Sequence, residues 1–171
     1  MLILCLSFLV AVVDQVAKYL VMQNLPHMSD HWVVIPGLFN ISHVRNTGAA
    51  WGMMQGFNMG LVIVSVIMLV VITMFRRHFM SDTRFYRVIV GLMVGGIVGN
   101  LIDRLRLGFV MDFLDFYWTS HHFPSFNVAD SAICTGVGLY ILLQFLDGRK
   151  AGKAADAGGP LPQAHTGDLA P

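Results

Sequence analysis

Four stretches of this chain are almost wholly apolar for about 20 residues, the length an α-helix needs to cross a bilayer. They run over about 1–22, 57–75, 85–105 and 127–146. Between the first two the pattern changes to alternating and β-branched residues, as in HWVVIPGLFNISHVRN, punctuated by Pro36 and Gly37. That pattern predicts a small strand-rich platform over about 27–55 on the membrane surface. Trp32, Trp51, Phe39 and Phe57 suit such a surface, where a ring can keep one edge wet. After Leu146 the text becomes DGRKAGKAADAGGPLPQAHTGDLAP, so residues 147–171 are expected to be disordered and dispensable for chemistry. The expected fold is an all-α polytopic membrane protein with four transmembrane helices and a β-rich extracytoplasmic platform between helices 1 and 2. Residues 1–146 form its single domain.

Basic residues orient the spans. Arg76, Arg77, Arg84 and Arg87 crowd the short second connection, and Arg149, Lys150 and Lys153 follow the last helix. Both regions are expected in the cytoplasm. An even number of crossings then puts both termini inside and the 23–56 and 106–126 connections outside. The first segment lacks a basic leader and a small-residue cleavage site, which predicts a retained helix.

Composition narrows the class. The chain is 56% hydrophobic and 12% charged, outside the range of soluble domains. Its eleven Lys and Arg are scattered, which argues against nucleic-acid binding. Cys5 and Cys134 lie far apart in apolar runs and read as small hydrophobes. Most of the eleven methionines read as flexible filler.

Ionisable groups inside spans are costly, so each needs a partner or a purpose. Asp14 and Lys18 stand four apart on the first helix, where opposite charges meet. Asn100, Asp103 and Arg104 share a surface of the third helix behind Gly95, Gly96 and Gly99, which permit close approach of another backbone. GFVMDFLDF (108–116) then supplies Asp112 and Asp115, and Asp130 follows at the head of the last span. If the connection folds back, one of the first two meets Asp130. Asp130 also falls three residues after Asn127, the spacing of a capping box. Spacing alone leaves capping and catalysis both open. Two converging carboxylates cannot both ionise, so one keeps its proton, and the pair can then perform general acid–base hydrolysis of an amide. No HExxH or GxSxG pattern offers a rival chemistry. His121 and His122 lack neighbours to complete a metal set and read as solvated or interfacial.

Four motifs, DQVAK at 14–18, VRNTGAAWG at 44–52, GGIVGNLIDRLRLGFVMDF at 95–113 and FNVAD at 126–130, occur in this order on the four-helix pattern. In this the chain resembles the bacterial lipoprotein signal peptidases, the signal peptidase II family of intramembrane aspartyl proteases, over about residues 10–146. The resemblance implies that Asp112 and Asp130 are the catalytic dyad, which makes Asp115 the lesser candidate. It implies supporting roles for Asp14, Lys18, Asn46, Gly48, Gly96, Asn100, Asp103, Arg104, Asn127 and Ala129, with Arg104 assigned to substrate carbonyls. It implies no metal or other cofactor. The implied substrate is a prolipoprotein carrying diacylglycerol on its lipobox Cys, cut just before that Cys at the outer face of the bacterial inner membrane. Membrane lipid and globomycin-type inhibitors are the other implied partners, and a monomer is expected. A short amphipathic element near 50–58 could clamp over the substrate. The chain departs from the family in starting almost inside its first helix.

Two other classes compete: a small proton-coupled membrane transporter with Asp14, Lys18, Asp103 and Asp130 as a relay, and a non-enzymatic assembly subunit. The transporter requires acids spread across membrane depth; the peptidase requires them clustered at one face.

Overall fold

The structure, a computed structural model, describes residues 1–28, 30–49, 53–79 and 83–156. Its elements in chain order are α1 (Leu2–Asn24), β1 (His31–Ile35), β2 (Phe39–Asn46), α2 (Asn58–Phe79), α3 (Arg84–Leu107), β3 (Val110–Trp118), β4 (His121–His122) and α4 (Val128–Asp156).

Helix α3 is the hub, lying along α1 on one side and α4 on the other, with α2 against it less extensively. Its glycines make this possible. A methyl group at Gly95 would meet Ser7 and Val10 of α1, and one at Gly96 would meet Ala129 and Ile133 of α4. Small residues let helix backbones approach where lipid offers no hydrophobic drive to associate. The Ser7 hydroxyl uses the proximity to donate to Gly91 O at 3.1 Å. Thr83 caps the start of α3 by accepting from Tyr86 N, and Gly108, at φ 80°, ends it in the left-handed conformation that favours glycine. The turn at Gly108 sends the chain directly into β3.

Among the described residues three helices, Leu2–Asn24, Arg84–Leu107 and Val128–Arg149, are long and apolar enough to cross a membrane. Their outward side chains, such as Phe8, Val16, Ile141 and Phe145, are exposed, as a lipid-facing surface requires. In α2 the apolar stretch Asn58–Met74 is shorter. The side chains of Arg76, Arg77, Lys150 and Lys153 lie outside the described residues, as do residues 50–52 with Trp51. Of the expected amphipathic element, 53–56 form turns and α2 starts at Asn58.

Two expectations need correction. The platform is not confined to the connection between α1 and α2: β3 and β4, from the connection between α3 and α4, complete an antiparallel sheet of order β1-β2-β3-β4. The fold is therefore helical with a four-stranded sheet rather than all-α. Residues 110–118, buried almost continuously over their first six positions, become a strand by pairing with β2 some 70 residues away, so local pattern alone read them as a connection. The second correction concerns the tail, because α4 continues to Asp156. Its Ala, Lys and Arg residues beyond Leu146 are strong helix formers that extend a helix already nucleated. Residues 157–171 lie outside the described ones.

The sheet sits on the end of the bundle. Met111 and Phe113 of β3 are buried with Val21 and Leu25 at the end of α1, and His43 Nδ1 lies 2.6 Å from Leu25 O. Between β2 and β3 the register runs from Asn40 opposite Asp115 to Val44 opposite Asp112, with a shift between Ile41 and Val44. Four residues of β2 thus span three of β3, a bulge that bends the strand beside Asp112.

Candidate active site

Alternation along β3 turns Asp112 to the face opposite its buried neighbours Met111 and Phe113, toward the head of α4. Its carboxylate is only 1% exposed and accepts two hydrogen bonds, from Asn46 Nδ2 at 2.9 Å and Asn127 Nδ2 at 2.6 Å. Burial, and then the nearby charge of Asp130, push the Asp112 carboxyl up to about 7 against the lowering effect of both amides and of Lys18.

Asp130 occupies the first turn of α4. Asn127 Oδ1 accepts from Asp130 N at 2.9 Å while Asp130 Oδ2 accepts from Asn127 N at 3.2 Å, a reciprocal capping box with Asp in the third position. The other carboxylate oxygen accepts from Asn100 Nδ2 at 2.7 Å. Capping and a place in the site are therefore not alternatives: the cap fixes the carboxylate, and its second oxygen is held from α3.

Behind the two carboxylates lies a buried ionic cluster. Lys18 Nζ stands 2.7 Å from Asp14 Oδ2 and 2.9 Å from Asp103 Oδ2, and donates to Asn100 Oδ1 at 3.1 Å. Asp14 is thus more than a partner for Lys18, because its other oxygen accepts from Ala129 N at 2.8 Å, where the N-terminal dipole of α4 favours a negative charge. Asp103 Oδ2 also accepts from Met111 N at 3.1 Å, anchoring β3 one residue before Asp112. Ala129 must be small: it is fully buried against Gly96 and Gly99. Through these contacts α1, α3, β3 and α4 are tied to one another around Asp112 and Asp130.

A cavity of about 770 Å³ opens over the pair. Asp112, Asp130, Asn46, Arg45 and Arg104 supply its polar wall; Val44, Val110, Phe126, Ile133 and Cys134 supply its apolar wall. Arg104 Nη2 donates to Gly48 O at 3.3 Å, and Gly48 N donates to Asn46 Oδ1 at 2.9 Å, so Gly48 joins the guanidinium to an amide that holds Asp112. A methyl at Gly48 would collide with Met53 O.

The expected residues therefore divide. Asp112, Asp130, Asn46 and Arg104 line the cavity, whereas Asp14, Lys18, Gly96, Asn100, Asp103, Asn127 and Ala129 stand behind it. Asp115 is on the other side of the strand, accepting from Asn40 Nδ2 at 3.2 Å and paired with His122 Nδ1 at 2.8 Å. His122, expected to be solvated or interfacial, is 54% exposed and also has this carboxylate as partner. Gln15 went unassigned in the sequence, yet its Nε2 reaches Asp103 Oδ1 at 2.8 Å, Gly99 O at 3.2 Å and Asp14 Oδ2 at 3.3 Å. Its adjacency to Asp14 was the available signal. Arg45, also unassigned, lies 5.1 Å from the Phe109 ring centroid at the cavity edge. Among the described residues no group of three or more His, Cys, Asp or Glu side chains is arranged to hold a metal.

A peptide bond and a water entering this cavity would meet two carboxylates whose orientations are fixed by four amide donors. That arrangement can take a proton from water and give one to a carbonyl.

A family model described as signal peptidase (SPase) II matches residues 6–146. The chain is 41% identical over 149 residues to a lipoprotein signal peptidase of Syntrophotalea carbinolica, covering 85% of this chain and 92% of that one. It is 43% identical over 145 residues to the lipoprotein signal peptidase of Geobacter metallireducens, covering 83% and 89%. Among solved structures it is similar to a bacterial membrane enzyme determined in meso at 2.3 Å resolution, with a TM-score of 0.76 and 35% identity over 85% of this chain and 88% of that one.

Proposed function

Because the chain belongs to the signal peptidase II family of peptidases, we propose that it hydrolyses its substrate with Asp112 and Asp130 as a general acid–base dyad. The substrate is a diacylglyceryl-modified prolipoprotein, cut just before the lipidated Cys. The observation that carries this reading is that both carboxylates open onto one cavity and are joined through Asn127.

The dyad holds one proton and titrates as a pair. The ionised member takes a proton from water as the water oxygen attacks the scissile carbonyl carbon. The protonated member hydrogen-bonds the carbonyl oxygen and transfers its proton as the tetrahedral diol forms. Collapse of the diol breaks the C–N bond, delivers a proton to the leaving amine of the lipidated Cys and returns the pair to its starting state. No covalent intermediate is needed. Asn46, Asn100 and Asn127 keep both carboxylates aimed through these changes, which is the value of preorganised donors in a site sheltered from bulk water. Arg104 holds substrate carbonyls on the same wall.

The signal-peptide helix enters from the membrane, its acyl chains stay in lipid beside the apolar wall, and water reaches the dyad from the sheet end. In this reading α2 also spans, giving four crossings with both termini cytoplasmic and the site at the outer face of the inner membrane. Globomycin-type peptides occupy the same cavity, and the working unit is a monomer. The acids gather at one end of the bundle around Lys18 and Asn127, whereas a proton relay needs them spread through its depth.

The test is incubation of the purified protein with diacylated and unlipidated forms of one precursor. Signal peptide should be released from the first only. Equal cleavage of both would remove the lipid requirement, and cleavage of neither would overturn the assignment.

A further inference from the structure

Asp112 and Asp130 each accept two hydrogen bonds, so the number of donors does not divide their roles. What differs is how those donors are held. Asp130 N can only donate, and it donates to Asn127 Oδ1 at 2.9 Å. That turns Asn127 Nδ2 toward Asn100 Oδ1 at 3.2 Å, which in turn aims Asn100 Nδ2 at Asp130 Oδ1 at 2.7 Å. The three bonds close a ring in which neither amide can flip without setting donor against donor or oxygen against oxygen. Lys18 fastens the ring from behind. Its ammonium has three N–H donors: one faces Asp14, one faces Asp103, and the third is given to Asn100 Oδ1 at 3.1 Å.

We propose that Lys18 and Asn100 are positioning residues that keep Asp130 ionised, so that Asp130 takes the proton from water and Asp112 carries the one given to the carbonyl. This division of the dyad rests on the peptidase reading above. Asp130 sits in the first turn of α4, where the helix dipole favours negative charge, whereas Asp112 lies within a strand, whose net dipole is small. The amide that Asn100 gives to Asp130 has the Lys18 cation on its oxygen, and that polarisation strengthens the bond at its other end. The amides on Asp112 have only neutral backbone N–H groups on theirs, Gly48 N on Asn46 and Asp130 N on Asn127. Both face Asp112 with their nitrogens, so its O–H meets no acceptor in them and is left for the cavity and the substrate carbonyl. The raised carboxyl of Asp112 agrees. The charged groups packed around Asp130 are Lys18 and Asp14 of α1, Asp103 and Arg104 of α3 and Asp112 of β3. Asp14 and Asp103 are each neutralised further by a backbone donor, Ala129 N and Met111 N. As the diol collapses, Asp130 passes its proton to the leaving nitrogen while Asp112 regains one from a diol hydroxyl, which restores the starting pair.

The two limbs of the kcat/KM profile against pH separate the acids. The alkaline limb reports loss of the one proton, here from Asp112, and the acidic limb reports arrival of a second, here on Asp130. Asn46→Ala removes a donor that favours ionised Asp112, so the alkaline limb should move up by about one pH unit while the acidic limb stays. Asn100→Ala cuts Lys18 off from Asp130, so the acidic limb should move up by about one pH unit while the alkaline limb stays. A purely structural role would lower the rate at every pH and move neither limb. Wild-type protein gives a second readout, which decides the matter if Asn100→Ala does not fold. A lipidated precursor analogue with an epoxide at the scissile position, opened by an ionised carboxylate, should form its ester on Asp130 below about pH 7. An analogue with a diazoketone there, which a protonated carboxyl esterifies with loss of nitrogen, should label Asp112. Esters on the opposite acids, limbs exchanged between the two variants, or limbs that do not move would overturn the division of roles while leaving the peptidase reading intact. Failure of wild-type protein to cleave the lipidated precursor would instead bring down both.

Discussion

Asn127 donates to Asp112 at 2.6 Å, so the residue that caps α4 also holds a carboxylate on β3. One side chain thereby couples the start of a helix to a strand from a different part of the chain. Replacement by Ser separates the two jobs, because Ser still caps but is too short to reach Asp112. Asn127→Ser should lose about tenfold or more in kcat, out of proportion to a modest loss of thermal stability in detergent, since the charge-assisted bond to Asp112 goes together with the amide's bonds to Asn100 Oδ1 and Met111 O. Equal losses of stability and turnover would mean the bond is only structural.

Asp112→Asn and Asp130→Asn should each lower turnover of a lipidated precursor by at least about 10²–10⁴-fold, the scale of general acid–base catalysis. Both proteins should remain folded and membrane-inserted, because Asn keeps the shape. Asp115→Asn should be milder. Retained cleavage by either of the first two variants would remove that residue from the dyad.

The raised carboxyl of Asp112 gives the pH dependence its sign. The pair as a whole should keep its one proton up to about pH 7 and lose it above. The singly protonated pair is therefore depleted as pH rises, and kcat/KM should fall through an apparent value near 7. A rate still climbing at pH 8 would show that the proton-bearing form is not the active one.

Lys18 is 1% exposed and its cation serves two buried carboxylates, Asp14 and Asp103. Lys18→Met strands them and should cost about 3–5 kcal/mol of stability. Adding Asp14→Asn and Asp103→Asn should recover part of that loss, read as the midpoint of thermal unfolding in detergent. No recovery would mean the aliphatic stem matters more than the charge.

Gly96→Ala forces α4 away from α3, since the added methyl has Ala129 O and Ile133 in its path. Overpacking of this kind costs about 1–3 kcal/mol and displaces Asp130 relative to Asp112. Both the unfolding midpoint and kcat should drop. A fall in stability alone would show that the head of α4 tolerates the shift.

The sequence by itself determined the apolar helices, the strands before α2, the intramembrane acids and the pairing of Asp14 with Lys18. Each of these is written in local periodicity or in spacing along one element. Asn127 and Asp130 were legible in the same way, as an N-cap and its third residue. What only the tertiary structure decided was which distant elements meet. The recruitment of β3 to the sheet, the second role of Asp14 at Ala129 N, the bridge made by Gln15 and the pairing of Asp115 with His122 across the β3–β4 turn all depend on contacts that no single periodicity encodes. Hydropathy records whether a side chain leaves water, and it is blind to which neighbour it then finds.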